Sequence, residues 1–343
     1  MSARRRSLPV VSSIAFIVLA AACDDAPAGP SAGTAMELRV TGLRSLDPAT
    51  EGSYELWVHP ASGDPVSAGR FTVAAAGEAV VAFEMPVRDP LSMAITVEPP
   101  GDGDARPSSQ ELLNGAFRRG FARLVIEESV TDGRPLVREP GHHSLFTSSN
   151  NVELGYPSFE DAGLWLFSIS VAVNEHGTRE VHLTPLQRGW LYEGWIVYRQ
   201  GTPDETWLSY GKFRPDPYGL LTSRDNTGSG VFSGDADYLN GGVEDVPGEE
   251  WTTTRVARHF GLDLPEGLTL PLDLDAVDAV TGEAVWHHMI TIEPAFDEDE
   301  PLTAERPFML RPYRNGVGAG GPGVPRKIIY LDNDPTGEAR PAR

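Results

Sequence analysis

Tyr54-Glu55-Leu56-Trp57-Val58 is followed by Ser67-Ala68-Gly69-Arg70-Phe71 and then by Met93-Ala94-Ile95-Thr96-Val97-Glu98-Pro99. Further on, Tyr192-Glu193-Gly194-Trp195-Ile196 is followed by Ser209-Tyr210-Gly211-Lys212-Phe213 and then by His288-Met289-Ile290-Thr291-Ile292-Glu293-Pro294. Three blocks recurring in one order predict two copies of one domain type. Inside the blocks, Ile95 and Val97 alternate with Ala94 and Thr96, and Ile290 and Ile292 flank Thr291. Phe167, Ile169, Val171 and Val173 alternate in the same way with Ser168, Ser170 and Ala172. A period of two is that of strands with one buried face. The 36 Gly and 29 Pro break the chain too often for long helices, and leave only Ser108 to Phe117 and Thr253 to Phe260 as short helical candidates. The reading is all-β: two tandem antiparallel β-sandwich domains, the second with a long insertion.

Copy one opens on Glu37-Leu38-Arg39-Val40-Thr41-Gly42-Leu43, which we align with Glu180-Val181-His182-Leu183-Thr184-Pro185-Leu186; Leu164 to Asn174 is then an extra strand ahead of copy two. The copies close on Arg123-Leu124-Val125-Ile126 and on Arg326-Lys327-Ile328-Ile329-Tyr330. This sets domain 1 at 36–128, a linker at 129–161, domain 2 at 162–331 and a disordered tail at 332–343. From Phe71 to Glu98 is 27 positions and from Phe213 to Glu293 is 80, so copy two holds an insertion, placed at 216–262. Long insertions between strands are often functional.

Residues 1–22 read as a signal peptide: Arg4, Arg5 and Arg6 precede an apolar run from Leu8 to Ala20 that is too short to span a bilayer. The run ends in Leu19-Ala20-Ala21-Ala22-Cys23, which resembles a bacterial lipobox and makes Cys23 the expected lipidation site. Ordinary cleavage at an Ala-x-Ala site, leaving a spare thiol, is the plainer alternative. Cys23 is the only Cys, so no disulfide forms within the chain. Residues 23–35 lack large apolar side chains up to their end and read as a tether holding the folded part off the membrane. The expected location is therefore the membrane, lipid-anchored, facing the extracytoplasmic space.

The net charge of −21, from 28 basic and 49 acidic side chains, disfavours nucleic acid and anionic lipid surfaces as partners. The blocks around Leu43 to Gly52, Tyr54 to Trp57, Pro65 to Phe71 and Ala94 to Gly101 resemble the extracytoplasmic C-terminal domain of the anti-sigma-K factor family. The resemblance implies a non-enzymatic outer domain that acts through protein contacts, with an envelope protein as the expected partner. Neither the transmembrane helix nor the sigma-binding segment of that family is found in this sequence, and no catalytic residues carry over.

Tyr54, Trp57, Tyr192 and Trp195 could form a sugar- or peptide-binding stripe, but aromatics on repeated strands more often fill a core. Glu98 and Glu293 could hold a cation; strand-end polar residues are more often structural. His142-His143 and His287-His288 offer imidazoles to zinc, yet neighbours on a strand face opposite sides, so no metal site is assigned. Asp273-Leu274-Asp275, Asp332-Asn333-Asp334 and Asp235-Ala236-Asp237 are oxygen-rich without the spacing of an EF-hand loop. Asp235, Asp237 and Trp251, in the insertion, are the candidate binding residues, with calcium the less favoured ligand. No cofactor motif, nucleophile elbow, metalloprotease helix or phosphate-binding loop occurs in the sequence, and the chain is read as a non-enzymatic binding or sensing module. A cell-wall or carbohydrate-binding lipoprotein is the alternative.

Overall fold

The computed structural model describes residues 30–74, 77–145, 163–165, 181–215, 267–269, 272–295, 307–321 and 324–343. Cys23, the helical candidate at Thr253 to Phe260 and the insertion at 216–262 lie outside them.

The strands, in chain order, are β1 (Ala35–Thr41), β2 (Ser53–Pro60), β3 (Val66–Phe71), β4 (Glu78–Glu84), β5 (Pro90–Glu98), β6 (Glu111–Arg118), β7 (Phe121–Val125) and β8 (His142–Leu145). They continue with β9 (Leu164–Trp165), β10 (Trp190–Tyr198), β11 (Thr206–Phe213), β12 (Trp286–Pro294), β13 (Leu310–Gly316), β14 (Arg326–Lys327), β15 (Ile329–Tyr330) and β16 (Thr336–Pro341). All their pairings are antiparallel. The first sheet runs β3-β2-β5-β6-β7-β16-β1-β4 and curls until its edge strands approach one another, nearly closing a barrel. The second runs β11-β10-β12-β13-β15, and a third runs β14-β8-β9. The fold class is all-β, as the period-two pattern requires.

The repeated blocks form matching hairpins. Tyr54 pairs with Phe71 and Trp57 with Ser67, with a bulge between Leu56 and Trp57; Tyr192 pairs with Phe213 and Trp195 with Ser209, with a bulge between Gly194 and Trp195. Across the next ladder Tyr54 meets Val97 and Trp57 meets Ala94, while Tyr192 meets Ile292 and Trp195 meets Met289. A third ladder is irregular just after Ile95 in one sheet and after Ile290 in the other. Such bulges bend a strand and strengthen its twist, which is what rolls a sheet around its own core.

Tyr54, Leu56 and Val58 point into a contiguous apolar core that also takes Tyr192, Ile196, Ile290, Ile292 and Tyr313, so both halves of the chain are packed on one interior. Each half also answers polar atoms of the other. Trp190 Nε1 donates to the Glu111 carbonyl at 3.1 Å, Gln110 Nε2 donates to the Ala295 carbonyl at 2.5 Å, and the Arg44 guanidinium lies 5.7 Å above the Phe308 ring.

Four expectations are corrected. Ser108 to Phe117 is no helix: Glu111–Arg118 is strand β6, because pairing with β5 and β7 buries both Leu112 and Leu113. The expected linker contains a strand, β8, whose His143, Ser144 and Leu145 are fully buried. The tail expected to be disordered supplies β16, hydrogen-bonded on both sides between β1 and β7. Residues 181–186 are not a counterpart of β1, since only His182 forms a bridge there. The Tyr192 hydroxyl donates to the Thr184 carbonyl at 2.8 Å as the Tyr54 hydroxyl donates to the Arg44 carbonyl at 2.9 Å, which sets 181–186 level with the segment after β1.

One glycine is fixed by the fold. Gly52 enters β2 at a φ of 89°, and a Cβ there would stand 2.0 Å from the Glu98 carbonyl oxygen. Gly52→Ala combines backbone strain with a clash against main chain that cannot move alone. The expected loss is about 3 kcal/mol or more, measured by denaturant melts of the variant against the parent.

Candidate functional site

The repeated aromatics are core and scaffold. Tyr54, Trp57, Tyr192 and Trp195 are buried to within 2% of full burial, so they offer no stripe to a sugar. Trp57 and Trp195 face away from the main core and anchor a polar network that recurs in both sheets. Trp57 Nε1 donates to Thr96 Oγ1 at 3.0 Å and to Glu98 Oε1 at 3.2 Å, Thr96 Oγ1 donates to the same carboxylate, and the Ser108 backbone N–H donates to Glu98 Oε2 at 3.2 Å. In the second sheet Trp195 Nε1 donates to Thr291 Oγ1 at 2.9 Å, Thr291 Oγ1 to Glu293 Oε1 at 2.5 Å, and the Phe308 N–H to both Glu293 oxygens at 2.9 Å. Each Glu thus ties the end of one strand to the chain returning toward the next. Their oxygens are engaged by donors, which suits a buried carboxylate.

The acidic pairs in the described loops are also staples. Asp275 accepts the backbone N–H groups of Gly320 and Gly321 at 2.9 and 3.1 Å and pairs with the Arg326 guanidinium at 2.6 Å. Asp334 accepts the Tyr330 hydroxyl at 2.7 Å, and its burial, before any other cause, pushes its carboxyl up to about 6. Asp235, Asp237 and Trp251 lie outside the described residues.

One cluster stands out in the second half. His143 on β8 and His288 on β12, 145 positions apart, meet with both side chains fully buried and their Nδ1 atoms 3.3 Å apart. Their rings sit edge to face at 4.7 Å, so one ring donates and the other accepts. A hydrogen bond of this kind requires at least one neutral imidazole. Opposite His143 on β14 lies Arg326, itself buried, whose guanidinium donates to the carbonyls of Val317, Val324, Gly318 and Gly321 and to Asp275. Burial holds the His288 imidazole down to about 3. Burial also holds His143 well below its ordinary value, and the neighbouring His288, Arg326 and His142 push the same way. The described residues bring no third His, Cys, Asp or Glu to the pair, and a permanent guanidinium beside it opposes a cation. The cluster is a buried polar contact that forms only while at least one imidazole is neutral.

The other members of the two doublets face elsewhere, as alternation along a strand demands. His287 borders a surface basin of about 760 Å³, together with Arg199, Glu205, Glu283, Arg314 and Ile329. Burial chiefly, then Arg314, lowers its imidazole. The described lining holds no Ser, Cys or Lys beside that imidazole; its hydroxyls are those of Thr202 and Thr281.

Against known proteins, residues 18–112 match the family model described as Anti-sigma-K factor rskA, C-terminal. No curated protein and no solved structure matches. The matched segment runs from before β1 to the start of β6, less than a third of the chain, and fits an anti-sigma factor-like module. Among the described residues no helix is long and apolar enough to cross a membrane.

Sequence reasoning weighed each His doublet alone and missed the pair formed between them. A signal was present: aligning the blocks sets His288 at the place of Met93, a polar residue where the other copy has a fully buried apolar one.

The cluster predicts a pH dependence of definite sign. Unfolded, both imidazoles titrate near pH 6.5; folded, they stay neutral far below it. The unfolded chain alone takes up the protons. Stability is therefore full above about pH 6.5 and falls as pH drops toward about 3, by ~1.4 kcal/mol per pH unit for each imidazole kept neutral. Denaturant melts between pH 7 and 4.5 should show this slope. It should become shallower in the double variant His143→Ala, His288→Met; an unchanged slope would assign the effect to other groups.

Proposed function

We propose that this protein is a lipid-anchored extracytoplasmic module that senses or binds a protein partner of the envelope without catalysing a reaction, in the manner of the outer half of an anti-sigma factor. The observation that carries the reading is the match of residues 18–112 to the C-terminal region of the anti-sigma-K factor family. Anti-sigma factors regulate by holding other proteins, and that family is associated with membranes. The lipobox-like Leu19-Ala20-Ala21-Ala22-Cys23 and the tether after it support attachment through lipid on Cys23. The strongly acidic surface suits an aqueous compartment and a basic or neutral partner.

Two measurements test this reading. Cys23→Ser should move the protein from the membrane fraction to the soluble one; unaltered fractionation removes the anchor. Cross-linking on intact cells followed by capture should recover a protein partner, and co-sedimentation with purified peptidoglycan should show no retention. Retention on peptidoglycan, abolished by deleting residues 216–262, would replace the reading with a cell-wall-binding one.

A further inference from the structure

The second and third sheets are one sheet interrupted at a single residue. β14 and β15 are consecutive parts of the extended segment Arg326–Tyr330, and between them the Ile328 N–H donates to the Gly141 carbonyl at 2.9 Å, just ahead of β8. Joined there, the order reads β11-β10-β12-β13-(β15, β14)-β8-β9. The first sheet reads β3-β2-β5-β6-β7-β16-β1 before its last strand. The two orders correspond strand for strand.

Registers make the correspondence specific. Ile95 faces Leu113 and Ile290 faces Tyr313, which sets Asn114 level with Arg314. Asn114 faces Val125 and Arg314 faces Ile329, so Val125 is level with Ile329 and Ala122 with Arg326. Ala339 of β16 faces Ala122, and His143 of β8 faces Arg326. Gly337 is then level with Gly141. On the far side Pro341 faces Met36 of β1, and Leu145 faces Leu164 of β9. Thus β8 stands in the second half where β16 stands in the first, and β9 where β1 stands.

Chain order crosses the two halves. β8 follows β7, the last shared strand of the first half, yet completes the second. β16 follows β15, the last shared strand of the second half, yet completes the first. We propose that the chain is two copies of one unit that have exchanged their final strands within a single polypeptide. The β1/β7 slot is then a strand acceptor, and its occupant is the C-terminal strand of the other unit. The slot selects by size. β16 turns only Gly337 and Ala339 fully inward, and a Cβ on Gly337 would already stand 3.2 Å from Leu124 Cβ and 3.4 Å from Val40 Cγ1. The strand therefore binds through its backbone ladder and small side chains, as an extended peptide adds to a sheet edge.

The test uses a chain ending at Asp334 and a synthetic peptide of residues 335–343. The truncated chain should melt at lower temperature than the full chain, bind the peptide one to one and recover its midpoint, while an Ala339→Asp peptide should lose binding. A truncated chain that melts like the full one, or that folds and ignores the peptide, overturns the proposal. Should truncation prevent folding, full-length chains in a Cys23→Ser background decide it. The cysteine pairs Glu37→Cys with Arg340→Cys, and His142→Cys with Lys327→Cys, should each close on mild oxidation within one chain, as their facing positions require. Failure of either pair to close, read by mass spectrometry, overturns the exchange.

Discussion

A strand inside a sheet must find hydrogen-bond partners on both sides, and here that requirement governs the architecture. β7 and β1 face each other across one strand's width, and neither could leave its inner row of N–H and C=O groups unpaired in the interior of the sheet without a large penalty. β16 fills the gap with main chain and almost no side-chain volume. The same need exists beside β14, where β8 meets it. The long path of the chain, from one half to the other and back, follows from these two vacancies.

The halves share a frame and differ in what fills it. Where the first half places Ala122, Ala339 and Met93, the second places Arg326, His143 and His288. Apolar packing at such a point would be simpler and equally stable, since buried ionic groups have desolvation against them. What the polar set adds is dependence on conditions. The guanidinium is fixed by carbonyls and by Asp275, and the imidazole pair holds only while it lacks a full complement of protons. That dependence belongs to the second half, since Met93 stands in the first where His288 stands in the second.

The period-two alternation at Ile95 to Val97 and Ile290 to Ile292 made the strands legible, and the recurring Tyr and Trp made the matching hairpins legible. Local pattern failed where pairing with distant chain decided the outcome. Thr336 to Pro341 contains Gly, Glu, Arg and Pro, a composition that reads as tail, and becomes a strand only because a slot of backbone awaits it. His142 to Leu145 sits between segments that look like linker for the same reason. Ser108 to Phe117 misled because Glu, Leu and Ala suit a helix in isolation, whereas the neighbouring strands impose extension. The imidazole pair was hidden because it joins positions 143 and 288, and no spacing rule spans that interval.

The start of β1 and the end of β16 lie side by side, with Met36 facing Pro341 and the Ala342 N–H donating to the Ala35 carbonyl at 2.9 Å. A pull applied between these two points runs across the ladder instead of along it. Antiparallel strands loaded in that way open like a zipper, one rung at a time, so the resisting force is that of a single rung and never the sum of the set. The seam that completes the first sheet is thus mechanically soft to a pull between these two points while remaining chemically continuous with the rest.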